Sequence, residues 1–547
     1  MHFCTIIAKN YVAAARVLAR SLTEHHPDST LHVLIVDDFT GYIDPAQEPF
    51  EVVTPGDLDI PRFERMAGLY TVLELSTAVK PWLLRHLLDR GEAAIYLDPD
   101  IRLYAPIPDI LSAVEERGLV LTPHNTRPMP RDGHRPHEQD ILMAGAYNLG
   151  FIGLRRGEFA DFLLGWWGER LESDCVVDPT RGFFVDQRWI DFVPAMADDF
   201  ELVRDPGFNA AYWNLPGRRL ARDNGGYRVD DARLRMFHFS GYDPRRPHVL
   251  STHQDRISLP EHPLLVELCE AYGEELRAAG HEESASWPYG WATTRSGLEL
   301  VRSVRAAYRE ASEENSDMSL FDEAGERGFL KWCLSPASPG GRHGVTRYLE
   351  VLIGLRPDIR ATFHDLDDEG QALGYLDWVR RHGRVEERIP LQLLPADEAG
   401  PPSNVPPHLV LGPPPVTVAG YLRAAAGTGE VARQIVRALD TQSVPVRPVA
   451  LEAAGGGKQE PFACLDELRS PFDINVVCVN ADETPSFARK AGRSFFHGRH
   501  TIGVWWWELS HIPAWFNPAF AHVQEVWAGS SFISEALAAV SPVPVLH

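Results

Sequence analysis

The sequence predicts an α/β chain with two Rossmann-like sheets joined by a helical region, and three observations carry that expectation. Short apolar runs alternate with stretches of helical spacing from residue 3 onward, the pattern of strands and crossover helices in a parallel sheet. The run Ala94-Ile95-Tyr96-Leu97 flows straight into Asp98-Pro99-Asp100, as a buried strand does when it delivers acids to the carboxyl edge of a sheet. After a Pro-rich stretch at 395–415 the strand-then-helix pattern resumes, which marks a second domain. At 547 residues the chain exceeds one core, and length alone suggests about three or four domains.

Phe3–Ala8 reads as the first strand and Tyr11–Glu24 as the helix after it, with Leu31–Val36 as the second strand, ending in Asp37-Asp38. The turn Ala8-Lys9-Asn10 is either plain punctuation or, at a strand's carboxyl end, a contact for a nucleotide. Thr77–Leu88 reads as a helix in which Pro81 suits the first turn. Lys80 then sits at its start, either solvated or beside an anionic phosphate. Asp98 and Asp100 lie one residue apart, so in an extended segment both side chains would project to one side and could share a hard cation. Against this stands a turn or a solvated pair.

The polar stretch Asn125–Asp140 is a lid or a surface loop. Tyr147–Leu154 is a strand with Asn148 at its polar entry, and Phe183–Asp191 sets Asp186 and Gln187 between apolar residues. Buried polar groups need partners, so these two are a satisfied pair or line a sugar pocket. Arg235–Gly241 is a strand ending in His238 and Gly241. The imidazole is a hydrogen-bonded core group or a third metal ligand, with phosphate on the Gly side.

Composition limits the function classes. A net charge of -23 argues against a nucleic-acid partner and against a polybasic membrane anchor. Six cysteines without a CxxC pair fit reduced thiols of a cytoplasmic protein. The chain opens directly into a strand with no signal-peptide pattern, and no run reaches the roughly 18 apolar residues of a membrane span. Peripheral contact with the inner face of a membrane stays compatible with this.

Taken in order, Ala8-Lys9-Asn10-Tyr11, Lys80, Tyr96-Leu97-Asp98-Pro99-Asp100, Tyr147-Asn148-Leu149-Gly150, Asp186-Gln187 and His238-Phe239-Ser240-Gly241 resemble glycosyltransferase family 8, the retaining nucleotide-sugar transferases of the glycogenin and lipopolysaccharide galactosyltransferase type. The resemblance covers about residues 1–260. It implies a GT-A domain with a mixed sheet over residues 1–280. It also implies Mn²⁺ or Mg²⁺ held by Asp98, Asp100 and His238, and a donor site including Ala8, Lys9, Asn10, Lys80, Asn148 and Gly241. Gln187 would lie near the anomeric carbon and Asp186 on sugar hydroxyls. Family members carry an acid in the first turn where this chain has Lys9-Asn10. They carry a Lys after the His-x-x-Gly, where this chain has Tyr242 to Arg246 and Arg245 could supply the phosphate charge.

Residues 281–394 read as a helical connector, with helices at Val345–Leu355 and Glu369–Arg381. Beyond the linker, Val416–Tyr421, Asp473–Val479, Thr501–Leu509 and Val526–Ser531 read as strands, and Val431–Leu439 as a helix behind the Gly-rich turn Ala426–Glu430. Residues 416–547 resemble the amino-terminal lobe of a family 4 glycosyltransferase, half of a GT-B fold. The chain stops about where the nucleotide-binding lobe would begin, so this unit is expected to be an acceptor-binding platform or truncated module. Trp505–Trp507 either stack on a sugar or pack a core.

The function expected is metal-dependent transfer of a sugar from a nucleotide-diphosphate donor to a glycan or lipid-linked acceptor, as in polysaccharide biosynthesis. The rivals are a sugar-1-phosphate nucleotidyltransferase, which would want a Gly-rich basic loop after the first strand, and an inactive glycan-binding scaffold.

Overall fold

The computed structural model describes residues 1–337, 343–395, 415–425, 427–442, 444–451, 462, 464, 465, 468, 472–497 and 499–547. It divides into two compact units. The first comprises Met1–Gly241, His253–Arg256 and Glu274–Asn404; the second comprises Tyr242–Thr252, Ile257–Gly273 and Val405–His547.

The first unit is built on a seven-stranded sheet. Its strands are β1 (His2–Ile7), β2 (Leu31–Ile35), β3 (Glu51–Val53), β4 (Ala93–Leu97), β6 (Leu119–Pro123), β7 (Tyr147–Arg155) and β8 (Glu201–Leu202), in the order β8-β6-β7-β4-β1-β2-β3. All pairs are parallel except those of β7, which runs antiparallel to both β4 and β6. Beside this sheet, β5 (Ile101–Leu103) pairs antiparallel with β9 (Met236–His238).

Strand alternation assigns the side chains of the sheet to two cores. Cys4, Ile6, Ala94 and Tyr96 enter one, while Phe3, Ile7, Ala93, Ile95 and Leu97 enter the other. With both faces covered, β4 reads as a continuous apolar run, and this is why it stands out in the sequence. The helix Val12–His25 buries its Val12, Ala15, Leu18 and Leu22 face against the second core.

Two expectations are modified here. The helix foreseen at Thr77–Leu88 is broken into Val72–Ala78 and Lys80–Leu88. Pro81 has no N–H to return to the preceding turn, so the second helix starts afresh there. The helices of residues 281–394 do not pack as a separate connector. Val304, Tyr308, Phe329, Leu349 and Tyr375 share one core with Cys4 and Tyr96 of the sheet. Arg305, buried within this layer, donates to the carbonyls of Ala67, Leu300 and Trp291 at 2.7–2.9 Å, which offsets the cost of burying its charge.

The second unit holds a six-stranded, wholly parallel sheet. Its strands are β10 (Val416–Gly420), β11 (Val446–Ala450), β12 (Ile474–Cys478), β13 (His500–Trp505), β14 (Glu525–Ala528) and β15 (Val545–Leu546), ordered β11-β10-β12-β13-β14-β15. The strand expected over Thr501–Leu509 stops at Trp505. The helix behind the Gly-rich turn runs from Gly427 to Thr441. This unit also takes up Tyr242–Thr252. There, Arg246 and His248 both bind Asp440 of that helix, at 2.5 and 2.7 Å. Apart from its two ends, the Pro-rich stretch at 395–415 lies outside the described residues. Among the described residues no helix is long and apolar enough to cross a membrane.

Candidate functional site

β4 ends at Leu97, and Asp98-Pro99-Asp100 is a turn. The Asp98 N–H donates to the Gly150 carbonyl of β7 at 2.9 Å, and the Ile101 N–H donates back to the Asp98 carbonyl at 3.1 Å. The acids therefore do not share one side of an extended segment, as their spacing suggested. The turn gathers them, and strand pairing supplies the third group. Ile101 of β5 stands opposite His238 of β9, and the Phe239 N–H donates to the Asp100 carbonyl at 2.9 Å.

One ligand atom from each of Asp98, Asp100 and His238 lies within 4.8 Å of the other two. His238 Nε2 is 3.1 Å from Asp100 Oδ1 and 3.7 Å from Asp98 Oδ2. The imidazole is 4% exposed, the carboxylates 19% and 28%, so the oxygens face an open side while the ring is fixed from behind. Gly150 makes room for that ring, since a Cβ there would stand 2.6 Å from His238 Cε1 and 2.8 Å from Asn148 Oδ1. Trp213 packs edge-on to it at 5.1 Å. Burial pushes the Asp98 carboxyl above its ordinary pKa, against the pull of Lys80 and His238. Burial alone would lower the His238 imidazolium, but the carboxylates of Asp100 and Asp98 hold it above the usual imidazole value. Two hard oxygens and one imidazole, with their ligand atoms this close together, could hold a metal ion.

Behind the acids lies a buried ion pair. Lys80 Nζ is 2.6 Å from Asp186 Oδ2, with both side chains under 3% exposed. The ammonium also donates to the Leu149 carbonyl at 3.0 Å and sits 4.1 Å above the Tyr96 ring. The Tyr96 hydroxyl donates to Asp98 Oδ1 at 2.7 Å, so the pair and the cluster are linked through one phenol. Burial raises the Asp186 carboxyl, opposed by Lys80. Val185, just before it, has φ +43°, a left-handed backbone that a β-branched residue adopts only under strain.

An amide network forms the next wall. Gln187 donates to the Ala144 carbonyl at 2.8 Å and accepts from the Leu149 N–H at 2.9 Å. Asn209 donates to Asn148 Oδ1 at 2.9 Å, and Asn148 donates toward His124 Nε2 at 3.3 Å. Burial pushes the His124 imidazolium down to about 4, so the ring is neutral. Its Nδ1–H donates to the Gly145 carbonyl at 2.8 Å, which leaves Nε2 to accept. Asn214 closes the network by donating to the carbonyls of Asn209 and His124.

Asp98, Asp100, His238, Lys80, Asp186, Asn148 and Gln187 thus form one connected set. Lys9 belongs to another. Its Nζ and backbone N–H both donate to Asp37, at 2.7 and 2.8 Å, and the Gly290 N–H donates to the same carboxylate. Ala8 is buried and Asn10 half-buried beside it. Gly241, the last residue of the first of that unit's three segments, has φ +72°. Arg245 lies in the second unit and pairs with Asp243 at 2.7 Å. His124, Asn209, Trp213 and Asn214 were not singled out from the sequence. The dense run Asn209-Ala-Ala-Tyr-Trp-Asn214, with two amides among apolar residues, was the available signal.

No protein-family model matches the chain. Two proteins of Bacillus subtilis (strain 168), both described as uncharacterized, are similar to it. YfnD is 26% identical over 249 residues, 44% of this chain and 78% of its own length. YfnF is 26% identical over 255 residues, 44% of this chain and 81% of its own. Solved glycosyltransferase structures are also similar. The galactosyltransferase LgtC, in complex with donor and acceptor sugar analogues, is 14% identical with a TM-score of 0.30, covering 55% of this chain and all of LgtC. GlyE of Streptococcus pneumoniae TIGR4 is 11% identical with a TM-score of 0.29, covering 53% of this chain and 66% of GlyE.

Proposed function

We propose that the first unit is a metal-dependent glycosyltransferase, moving a sugar from a nucleotide-diphosphate donor to a glycan or lipid-linked acceptor. The observation that carries this reading is the convergence of Asp98, Asp100 and His238 at the end of β4, beside a buried Lys80–Asp186 pair and a wall of amides. Asp98, Asp100 and His238 would hold the cation, which when bound neutralises charge on the departing diphosphate. The chain's own groups have three tasks. Tyr96 and the backbone of Gly150 orient Asp98. Lys80 holds Asp186 at a fixed position behind the acids. Gln187 and Asn148, locked by Leu149, Ala144 and Asn209, present amides to the sugar ring without reorganising, which is the condition for electrostatic catalysis.

Ala8, Lys9, Asn10 and Gly241 are proposed as the nucleotide end of the site, with the Lys9 charge balanced by Asp37. A retaining outcome belongs to the same reading, through the family 8 resemblance. Its free cysteines support a reducing, cytoplasmic location. The second unit is read as an acceptor-side platform.

The test is release of nucleoside diphosphate from a panel of nucleotide-sugars with Mn²⁺. Activity is expected with one donor, lost on chelation, and reduced at least about a hundredfold by Asp98→Asn. Full activity in metal-free buffer overturns the reading. Donor binding without turnover would instead support the scaffold alternative.

A further inference from the structure

An amide side chain can stand either way round, and for the amides beside the acids the backbone decides which. The Leu149 N–H can only donate and the Ala144 carbonyl can only accept, so Gln187 must turn Oε1 to the first, at 2.9 Å, and Nε2 to the second, at 2.8 Å. Asn148 then places one end of its amide 3.5 Å from Gln187 Oε1, a position that suits an N–H and not an oxygen. His124 makes the same demand from another side. Its backbone N–H donates to the Ala146 carbonyl at 2.9 Å, which holds it beside β7, and its Nδ1–H is engaged by the Gly145 carbonyl at 2.8 Å. The ring is neutral at pH 7, since burial lowers its pKa to about 4. Its Nε2, 3.3 Å from Asn148 Nδ2, therefore offers a lone pair.

A strained neighbour shows that this orientation is imposed. Asn209 is fully buried with φ +54°, and it donates to Asn148 Oδ1 at 2.9 Å while its own Oδ1 has no partner among the described residues. An orphaned buried acceptor is a costly state. Turning the Asn209 amide round would set oxygen against oxygen at Asn148, and Asn148 could turn with it only if His124 carried a second proton.

We propose that His124 is a positioning residue of the sugar site: by offering Nε2 as an acceptor it fixes which way round the Asn148 amide stands, and so gives Asn148 and Gln187 opposite polarity toward a sugar. An amide oxygen accepts two hydrogen bonds and an amide nitrogen donates two. Among the described residues, Asn148 has turned both N–H bonds to His124 and Gln187 and keeps one lone pair on Oδ1, which suits a sugar hydroxyl as donor. Gln187 has Oε1 engaged by Leu149 and Asn148 and keeps one N–H, which suits a sugar oxygen as acceptor. The word sugar rests on the sugar-transfer reading; the tautomer and the amide orientation do not.

The full chain carrying ¹⁵N-labelled histidine is followed by long-range proton–nitrogen NMR, with the His124 signals identified by their loss in His124→Gln. At pH 7 they are expected to show Nδ1 protonated and Nε2 bare; the opposite tautomer, or an imidazolium, overturns the proposal. Kinetics then test the consequence with the nucleotide-sugar that wild type turns over. His124→Leu, which removes the acceptor, should lower kcat/KM for nucleoside diphosphate release about tenfold or more. His124→Gln, whose Oε1 can take the Asn148 N–H, should restore most of that loss. Calorimetric affinity for the free nucleoside diphosphate with Mn²⁺ should change less than about twofold in both variants, which also reports that they are folded. Diphosphate affinity lost in step with turnover, or a His124→Gln variant no better than His124→Leu, makes His124 a general structural residue and overturns the proposal. If wild type turns over no nucleotide-sugar, the sugar-transfer reading falls, while the NMR still decides the amide orientation.

Discussion

The two sheets of this protein end in different chemistry. At the carboxyl end of β4 the first sheet gathers two carboxylates, an imidazole and a buried ammonium–carboxylate pair. At the carboxyl end of β13 the second sheet continues into Trp506 and Trp507, and the Trp506 N–H donates to Asn480 Oδ1. Among its described residues no cluster of metal-ligating groups occurs. The second sheet is wholly parallel, with strands fed in from one side. The first has one reversed strand, β7, and a side ribbon, β5–β9. That reversal matters. It lets β7 deliver Asn148, Leu149 and Gly150 to the acids from the opposite direction, so side chains far apart in sequence converge. Parallel order alone makes a crevice; the reversed strand brings an amide and backbone groups against the charged groups gathered at this one.

The largest effect should come from breaking that charge. Asp186→Ala leaves Lys80 buried without its acid, and the first unit should lose about 3–5 kcal/mol, read as a fall in the denaturant midpoint monitored in that unit. Replacing both partners, Lys80→Met with Asp186→Leu, should cost far less, because no lone charge remains. If the single and double variants are equally unstable, the pair is not what sets stability there.

The Lys80–Asp186 pair also marks the limit of what the sequence revealed. Asp98, Asp100 and His238 were legible because a paired acid behind an apolar strand and a His at another strand's end are local signals. Lys80 and Asp186 were each legible as candidates, yet nothing in two segments 106 residues apart indicates that one neutralises the other. Lys9 and Asp37 were likewise read apart, although they are partners. The geometry behind the paired acids was foreseen as extended, when a Pro-containing turn and a ribbon register provide it. His124, Asn209 and Asn214 became a network only through burial, which local periodicity does not encode. The helices of 281–394 were legible as helices, but their apolar faces do not say which sheet they will cover.

A second contrast is pH dependence. His124 is buried neutral, with its pKa lowered to about 4, whereas an unfolded imidazole titrates near 6.5. Between these values the unfolded chain binds the proton and the folded chain does not, so stability falls as pH drops from about 6.5 toward 4, by about 3 kcal/mol in total. His124→Gln should flatten that part of the profile in the first unit, whatever its effect at neutral pH. A slope unchanged by the substitution would place the proton uptake elsewhere.

The glycines sharpen the comparison further. Gly150→Ala would drive a Cβ to 2.6 Å from His238 and 2.8 Å from Asn148. A cost of about 1–3 kcal/mol is expected, together with a weaker Mn²⁺ affinity by calorimetry, because the displaced ring is a proposed ligand. Intact metal affinity in Gly150→Ala would mean that the imidazole can shift without consequence.

The smallest effect belongs to the Gly-rich turn of the second unit, where two glycines only two residues apart answer to different demands. A Cβ on Gly429 would stand 2.5 Å from the Ala424 carbonyl and 2.6 Å from that of Tyr421, so the protein's own backbone requires that glycine. At Gly427 nothing lies within 4 Å, and its φ is not in the left-handed region. As the first residue of the helix Gly427–Thr441, it gains rather than loses by a methyl group, since alanine has less backbone freedom to give up. Gly427→Ala should leave stability within about 0.5 kcal/mol of wild type and nucleoside diphosphate release unchanged. A clear loss of release on that substitution would mean that a ligand approaches this backbone closely, and that the second sheet shares in the chemistry here assigned to the first.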